Sequence, residues 1–256
     1  MRYVHSPLVQ PTDAMYGGET AAVYDTWFGG YLGGAALVDR LVELAADGGP
    51  GPVLELGIGT GRVALPLAER GVEVHGVDGS EAMVAQLRAK PGGRSIPVTM
   101  GDFSDVPVEG QFALIFVAAG TFFELPSQET QLRCFANVAR RLRPGGLFAF
   151  DSLVPDAVRS AGGEDMRLIP SADDRLIMRF RKFDFVAQRY TSNYVVIEDG
   201  RARHLTVQFR YAWPSELDLM ARMAGLRLRE RVSGWDGGPF TGSSPSHVSV
   251  YERPTG

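Results

Sequence analysis

The chain has 256 residues, 45% of them hydrophobic and 22% charged, with a net charge of −4. No apolar run reaches the ~20 residues of a membrane span, no hydrophobic signal follows Met1-Arg2-Tyr3-Val4-His5, and the lone Cys134 cannot form an internal disulfide, so a soluble, cytoplasmic protein with no membrane partner is expected. Scattered Lys and Arg argue against nucleic acid as a partner, and the widely separated His5, His75, His204 and His247 offer no metal-ligand spacing, so no metal is expected.

Residues 1–31 are rich in Gly, Tyr and Thr. A helical period follows, with Leu37, Val38, Leu41, Val42, Leu44 and Ala45 on one side, and Gly48-Gly49-Pro50 stops it. Units then alternate: strand 53–56, helix 62–70, strand 72–77, helix 80–89, a short strand 97–100 and strand 112–117. The last of these is apolar throughout, as a strand buried on both faces must be. A helix at 127–142 ends at Arg143-Pro144-Gly145-Gly146, and strand 147–151 follows.

The pattern changes after Pro155. Three β-rich runs, Arg175–Phe185, Arg189–Glu198 and Arg203–Ala212, carry Asp199-Gly200 as a hairpin turn. They read as an antiparallel insertion spanning 165–213. Pro214 then opens a helix to about Ala224, and strands 226–232 and 247–252 flank a loop containing Trp235 and Phe240. The alternation implies an α/β fold in one domain, 1–256: a doubly wound, Rossmann-like, mostly parallel sheet of seven strands with the insertion after strand five.

The first strand runs into Glu55-Leu56-Gly57-Ile58-Gly59-Thr60-Gly61, and the second ends at Asp78-Gly79. A dinucleotide turn wants Gly-x-Gly-x-x-Gly, but Arg62 occupies the third glycine's place, which counts against a nicotinamide oxidoreductase. A P-loop is excluded because no Gly-Lys-Ser/Thr follows. Glu55 would repel phosphates and suits a cationic ammonium. The order Glu-x-Gly-x-Gly-x-Gly resembles the first motif of class I S-adenosylmethionine (SAM) methyltransferases. Asp78 matches their ribose-binding acid, Gly101-Asp102-Phe103 their adenine segment, and Leu142-Arg143-Pro144-Gly145-Gly146 the turn before strand five. The C-terminal layout resembles the small-molecule, natural-product members of that family.

The resemblance implies SAM as cofactor and S-adenosylhomocysteine (SAH) as product. The cofactor contacts it implies come from Tyr16, Glu55, Gly57, Gly59, Thr60, Gly61, Asp78, Gly79, Met83, Gly101, Asp102, Phe103, Val117 and Ala118. Val23-Tyr24-Asp25 resembles the step by which an N-terminal segment folds over the cofactor, so residues 1–31 are expected to form a lid. The alternative is that Tyr24, Trp27 and Phe28 only staple this segment to the core.

Ligands of such sheets bind beyond the carboxyl ends of the strands, so Ala118–Glu124 should face the transferred methyl group. Glu124, an acid in an apolar stretch, is the candidate base, or else a helix-start carboxylate near Ser127. Tyr24 and Tyr16 are further candidates. His247 is a possible second base, or a packed strand-end residue. Tyr24, Trp27, Phe122, Phe123, Trp213, Trp235 and Phe240 are expected to line an aromatic pocket, with Trp27, Phe123, Trp235 and Phe240 touching substrate. That favours an aromatic or heteroaromatic acceptor, indole-like and methylated at carbon or nitrogen, with an amine as the other option. Arg179, Arg181, Arg189, Arg203 and Arg210 read mainly as a solvated face, and Cys134, Met178, Met220 and Met223 as packing. A non-catalytic SAM-binding module and a SAM-dependent cyclase are the alternatives, and the chain is expected to be a monomer or homodimer.

Overall fold

Strands covered on both faces leave no polar alternation, and the two most apolar runs here take the middle of a sheet. The computed structural model describes residues 16–29, 34–155, 164–171 and 174–255. In it, β1 (Val53–Leu56) and β4 (Phe112–Val117) are buried at every position. They pair in parallel with each other and with β2 (Val74–Asp78) and β5 (Leu142–Leu153). β3 (Val98–Met100) extends one edge in parallel. At the other edge, β11 (Ser246–Glu252) pairs antiparallel to β5, and β10 (Arg227–Val232) pairs antiparallel to β11. The order is β10-β11-β5-β4-β1-β2-β3. Connections leave β1 and β4 in opposite directions along the sheet, which opens a crevice beyond their carboxyl ends.

Two helical layers cover the sheet. On one face, α2 (Ala35–Asp47) and α3 (Ala64–Glu69) bury Leu37, Leu41, Ala64 and Leu67 against Val53, Leu114 and Phe116. Leu87 of α4 (Glu81–Ala89) joins them. On the other face, α5 (Gln128–Arg141) and α6 (Pro214–Met223) pack Phe135, Val138, Leu217 and Met220 against Leu54, Ile115 and Val117. Ser127 opens α5 with a reciprocal capping box to Thr130. Cys134 is buried in this second core. Among the described residues, no helix is long and apolar enough to cross a membrane.

The insertion holds four strands where three were expected. β6 (Glu164–Ile169), β7 (Arg175–Asp184), β8 (Arg189–Glu198) and β9 (Arg201–Arg210) form a separate antiparallel sheet. β6 escapes a sequence reading because its apolar residues Met166 and Leu168 point outward, 77% and 67% exposed, which reverses the usual polar-out pattern. Asp199 and Gly200, at φ 51° and 70°, make the expected turn between β8 and β9. The arginines are not all solvated: Arg179 is 2% exposed and donates to Asp165 at 2.7 Å, and buried Arg210 donates to Glu216 at 2.6 Å. Alternate residues of β7 face inward with Ile177, and Arg179 falls on that side; Arg210, next to inward-facing Phe209 at the end of β9, is buried instead against Gln131 of α5 and Glu216 of α6.

Other boundaries shift by one to five residues. The helix expected at 62–70 starts at Ala64 because residues 60–63 are spent on the turn, and β5 begins at Leu142, where the backbone is already extended. The N-terminal segment is described only in part; residues 1–15 and 30–33 lie outside the described residues. α1 (Gly18–Phe28) lays Trp27 and Phe28 on the inner face of the insertion, against Ile177, Val196, Leu205 and Val207.

One glycine ties the fold to the crevice. A Cβ on Gly76, in β2, would lie 2.4 Å from Ile58 Cδ1 and 2.8 Å from Ile58 Cβ. Gly76→Ala is therefore expected to cost about 1–3 kcal/mol by overpacking and to displace the β1–α3 loop that carries Ile58. Thermal melting with and without SAH checks this: melting temperature and SAH-induced stabilisation should fall together.

Candidate active site

A cavity of about 470 Å³ occupies the crevice. Its floor is the β1–α3 turn. Gly57 and Gly59 sit at φ 77° and 54°, a region open to glycine, and the turn's backbone reaches the cavity without side chains in the way. Gly59 N–H donates to Asp78 Oδ2 at 2.6 Å and Ser80 N–H to Oδ1 at 2.7 Å. Asp78, at the end of β2, thus orders the glycine turn as well as facing the cavity, and burial raises its pKa.

Glu55, Gly57, Gly59, Thr60, Asp78, Gly79, Met83, Gly101, Asp102, Phe103 and Ala118 all line the cavity, as do Tyr16, Tyr24 and Glu124. Sequence reasoning brought these together from four loops. Two of its expected contacts do not reach the cavity. Gly61 turns toward α4, where a Cβ would lie 2.3 Å from Leu87 Cδ1, so it serves helix packing. Val117 points into the α5 core.

Glu55 is buried, and its Oε2 has no hydrogen-bond partner. Burial pushes its carboxyl up to about 8, although Arg62 pulls the other way. An unpartnered buried carboxylate at the foot of a cavity suits an ammonium group. Together with the bare glycine backbone and the Asp78 acid, it fits the SAM that the sequence resemblance implies. Arg62 also lines the cavity. Sequence reading used it only as a missing glycine, yet its place after the turn, at the mouth of a helix, puts a cation where a ligand carboxylate would sit.

Glu124 lies on a 3-10 turn, Thr121–Glu124, after β4. Its Oε1 accepts a hydrogen bond from Tyr16 Oη at 2.7 Å. Burial is the main cause that pushes its carboxyl up to about 7, opposed by the Tyr16 bond. Burial also raises the phenols of Tyr16 and Tyr24 well above their ordinary values. Both therefore stay neutral hydrogen-bond donors, which corrects the reading of Tyr24 as a base.

α1 is latched over this site. Thr60 Oγ1 donates to Asp25 Oδ1 at 2.6 Å, Lys90 Nζ pairs with Asp25 Oδ2 at 2.5 Å, and Ser80 Oγ donates to the Tyr16 carbonyl at 2.7 Å. The cofactor loops and the N-terminal helix are thus joined through Asp25, and the Tyr-Asp step was the sequence signal for it.

The other expected substrate contacts are elsewhere. Trp27 donates to Glu198 at 3.3 Å and lies under the Arg203 guanidinium. Phe123 is wholly buried in the α5 core. Trp235 donates to Asp151 at 3.3 Å. Phe240 packs edge-on to His247, with ring centroids 5.7 Å apart. His247 is buried, with Nδ1 2.8 Å from Ser249 Oγ, and burial lowers its pKa to about 3. It faces the α5–α6 side of the sheet rather than the cavity, so the second-base reading is corrected.

Comparison with known proteins follows the same lines. A methyltransferase domain model matches residues 53–146. The cypemycin N-terminal methyltransferase of a Streptomyces species is 31% identical over 202 residues, 78% of this chain and 82% of that protein. Among solved structures, the CcbJ methyltransferase from Streptomyces caelestis is 37% identical with a TM-score of 0.83, covering 94% of this chain and 98% of that one. SAM-bound CalS10, an amino pentose methyltransferase from Micromonospora echinaspora, is 19% identical with a TM-score of 0.69, over 90% and 96% of the two chains, a likeness of fold.

Proposed function

Because the chain belongs to the class I SAM-dependent methyltransferases of the natural-product type, which use SAM and release SAH, we propose that it methylates the nitrogen of a small-molecule amine, with Glu124 receiving the acceptor's proton. The observation that carries this reading is the Glu124 carboxyl: buried, held by Tyr16 at 2.7 Å, and with its pKa pushed up to about 7. A base with that affinity can take a proton from an alkylammonium and give it up to solvent near neutral pH.

When bound, SAM supplies a methyl carbon activated by its sulfonium, open to in-line displacement by a lone pair. The chain's own residues do the rest. Glu55 and Arg62 offer a carboxylate and a guanidinium to the two charged ends of an amino-acid moiety. Asp78 offers acceptor oxygens to a diol. Tyr16 fixes the rotamer of Glu124, and the Asp25 latch holds α1 over the cavity and limits water. The acceptor nitrogen's proton passes to Glu124, which frees the lone pair that forms the new bond.

Two further points support an amine over the aromatic acceptor first expected. Of the seven aromatics expected to line the pocket, only Tyr24 does so; the rest are spent on core packing or on holding other groups. The cypemycin relative is, by its name, an N-terminal methyltransferase. The test is turnover of labelled SAM against a panel of primary and secondary amines, indoles and phenols. Equimolar SAH and N-methylated amine are expected. Methyl transfer confined to aromatic carbon or oxygen would overturn the reading.

A further inference from the structure

We propose, on the reading of Asp102 as the acceptor of the adenine amino group, that Asn137 is a positioning residue for the cofactor's base, acting from α5 through Ser104. The segment after β3 needs a support. Val106 stands at φ 45°, where a β-branched residue is an outlier, and it precedes Pro107, a place that favours extended backbone. Strain of this kind persists only where the surroundings hold the chain. Within the segment, Asp105 N–H donates to Asp102 O at 3.1 Å and Val106 N–H to Phe103 O at 3.2 Å.

Further support converges on Ser104, which is fully buried. Its N–H donates to Asp102 Oδ1 at 2.7 Å, so the direction of the Asp102 carboxylate follows the Ser104 backbone. Its carbonyl accepts from Asn137 Nδ2 at 2.7 Å in a buried contact, and its hydroxyl accepts from Arg133 at 2.6 Å. Arg133 Nε also pairs with Asp105 at 2.9 Å. Arg133 and Asn137 lie one helical turn apart on α5. The Asn137 amide is engaged on both sides, because Arg140 donates to its Oδ1. A carboxylate in its place could keep the Arg140 contact but has nothing to donate to Ser104. Asp102 and Phe103 line the cavity, whereas Ser104 and Asn137 do not. Asn137 acts on the cofactor by fixing where Asp102 stands.

Calorimetric binding of SAH and of S-inosylhomocysteine, the analogue with a 6-oxo group in place of the adenine amine, provides the test. The parent should prefer SAH by about tenfold or more, because the 6-oxo oxygen meets Asp102 acceptor to acceptor. In Asn137→Asp, SAH affinity should fall about tenfold while the analogue's changes by less than about twofold, so the preference disappears. Amide hydrogen exchange of the ligand-free variant should accelerate at least about tenfold at 102–106 and stay unchanged at 57–61. Arg133→Met, at an exposed position, removes the bond to the Ser104 hydroxyl and should shrink the preference by about threefold. A parent without any preference would overturn the reading of Asp102 itself. A parent that prefers SAH, with an Asn137→Asp variant that keeps the preference, would overturn the role of Asn137, as would unchanged exchange at 102–106. Equal losses for both ligands, with a lower melting temperature in both variants, would mark a purely structural residue and overturn it as well.

Discussion

Glu124→Gln should slow methyl transfer to an amine by about a hundredfold or more, the usual contribution of a positioned base, while SAH affinity stays within about twofold. The substitution keeps the shape of the side chain, and the amide oxygen can still accept from Tyr16, whose hydroxyl lies 2.7 Å from Oε1. What it removes is the capacity to take a proton. Glutamine is also a milder occupant of a buried site than a carboxylate raised to about 7, so the variant should melt no lower than the parent at neutral pH. Initial rates at saturating SAM, with SAH binding measured in parallel, check the expectation. A full rate in the variant would mean that the acceptor arrives already deprotonated and that Glu124 only shapes the wall.

Glu55→Gln should weaken SAM binding by about thirtyfold, because truncating one partner of a buried charge pair costs about 2 kcal/mol or more. The Oε2 atom is buried and without a hydrogen-bond partner, so in the ligand-free protein it is an uncompensated acceptor, protonated below about 8. An ammonium arriving beside it displaces that proton. Calorimetry near pH 7 in buffers of different ionisation enthalpy should therefore register proton release on SAM binding, and this release should shrink in the variant. The sign for stability is fixed by the same shift. A carboxyl raised on folding contributes stability that is fully present below its unfolded value and is lost as pH rises through about 8. The ligand-free parent should lose melting temperature between pH 6 and 9, and Glu55→Gln should flatten that slope.

The parts of this protein legible in its sequence are those where one residue type answers one local demand. Apolar runs that must be covered on both faces gave β1 and β4, and the glycines and acids at their ends gave the cofactor side of the cavity. The failures have a different origin. Trp27, Phe123, Trp235 and Phe240 look like pocket aromatics in sequence, but large rings also fill cores, and only tertiary packing decides between the two. Gly61 belongs to the motif, yet it faces Leu87 of α4 rather than the cavity. Arg179 and Arg210 sit in charged, strand-like runs; the sheet's alternation buried Arg179 beside Asp165, and packing of the end of β9 against α5 and α6 buried Arg210 beside Glu216.

If a buried carboxylate with raised proton affinity serves methyl transfer to nitrogen, a single turnover of the preformed SAM complex must depend on pH through that carboxylate. Glu124 can accept a proton only when ionised. Its carboxyl stands at about 7 in the ligand-free site, and a neighbouring cation draws it lower. With one amine acceptor, the parent rate should rise with pH to a plateau, with an inflection at or below about 7, and Glu124→Gln should lack that limb while keeping any limb set by the acceptor's own ionisation. Identical profiles for parent and variant would rule out Glu124 as the group that takes the acceptor's proton.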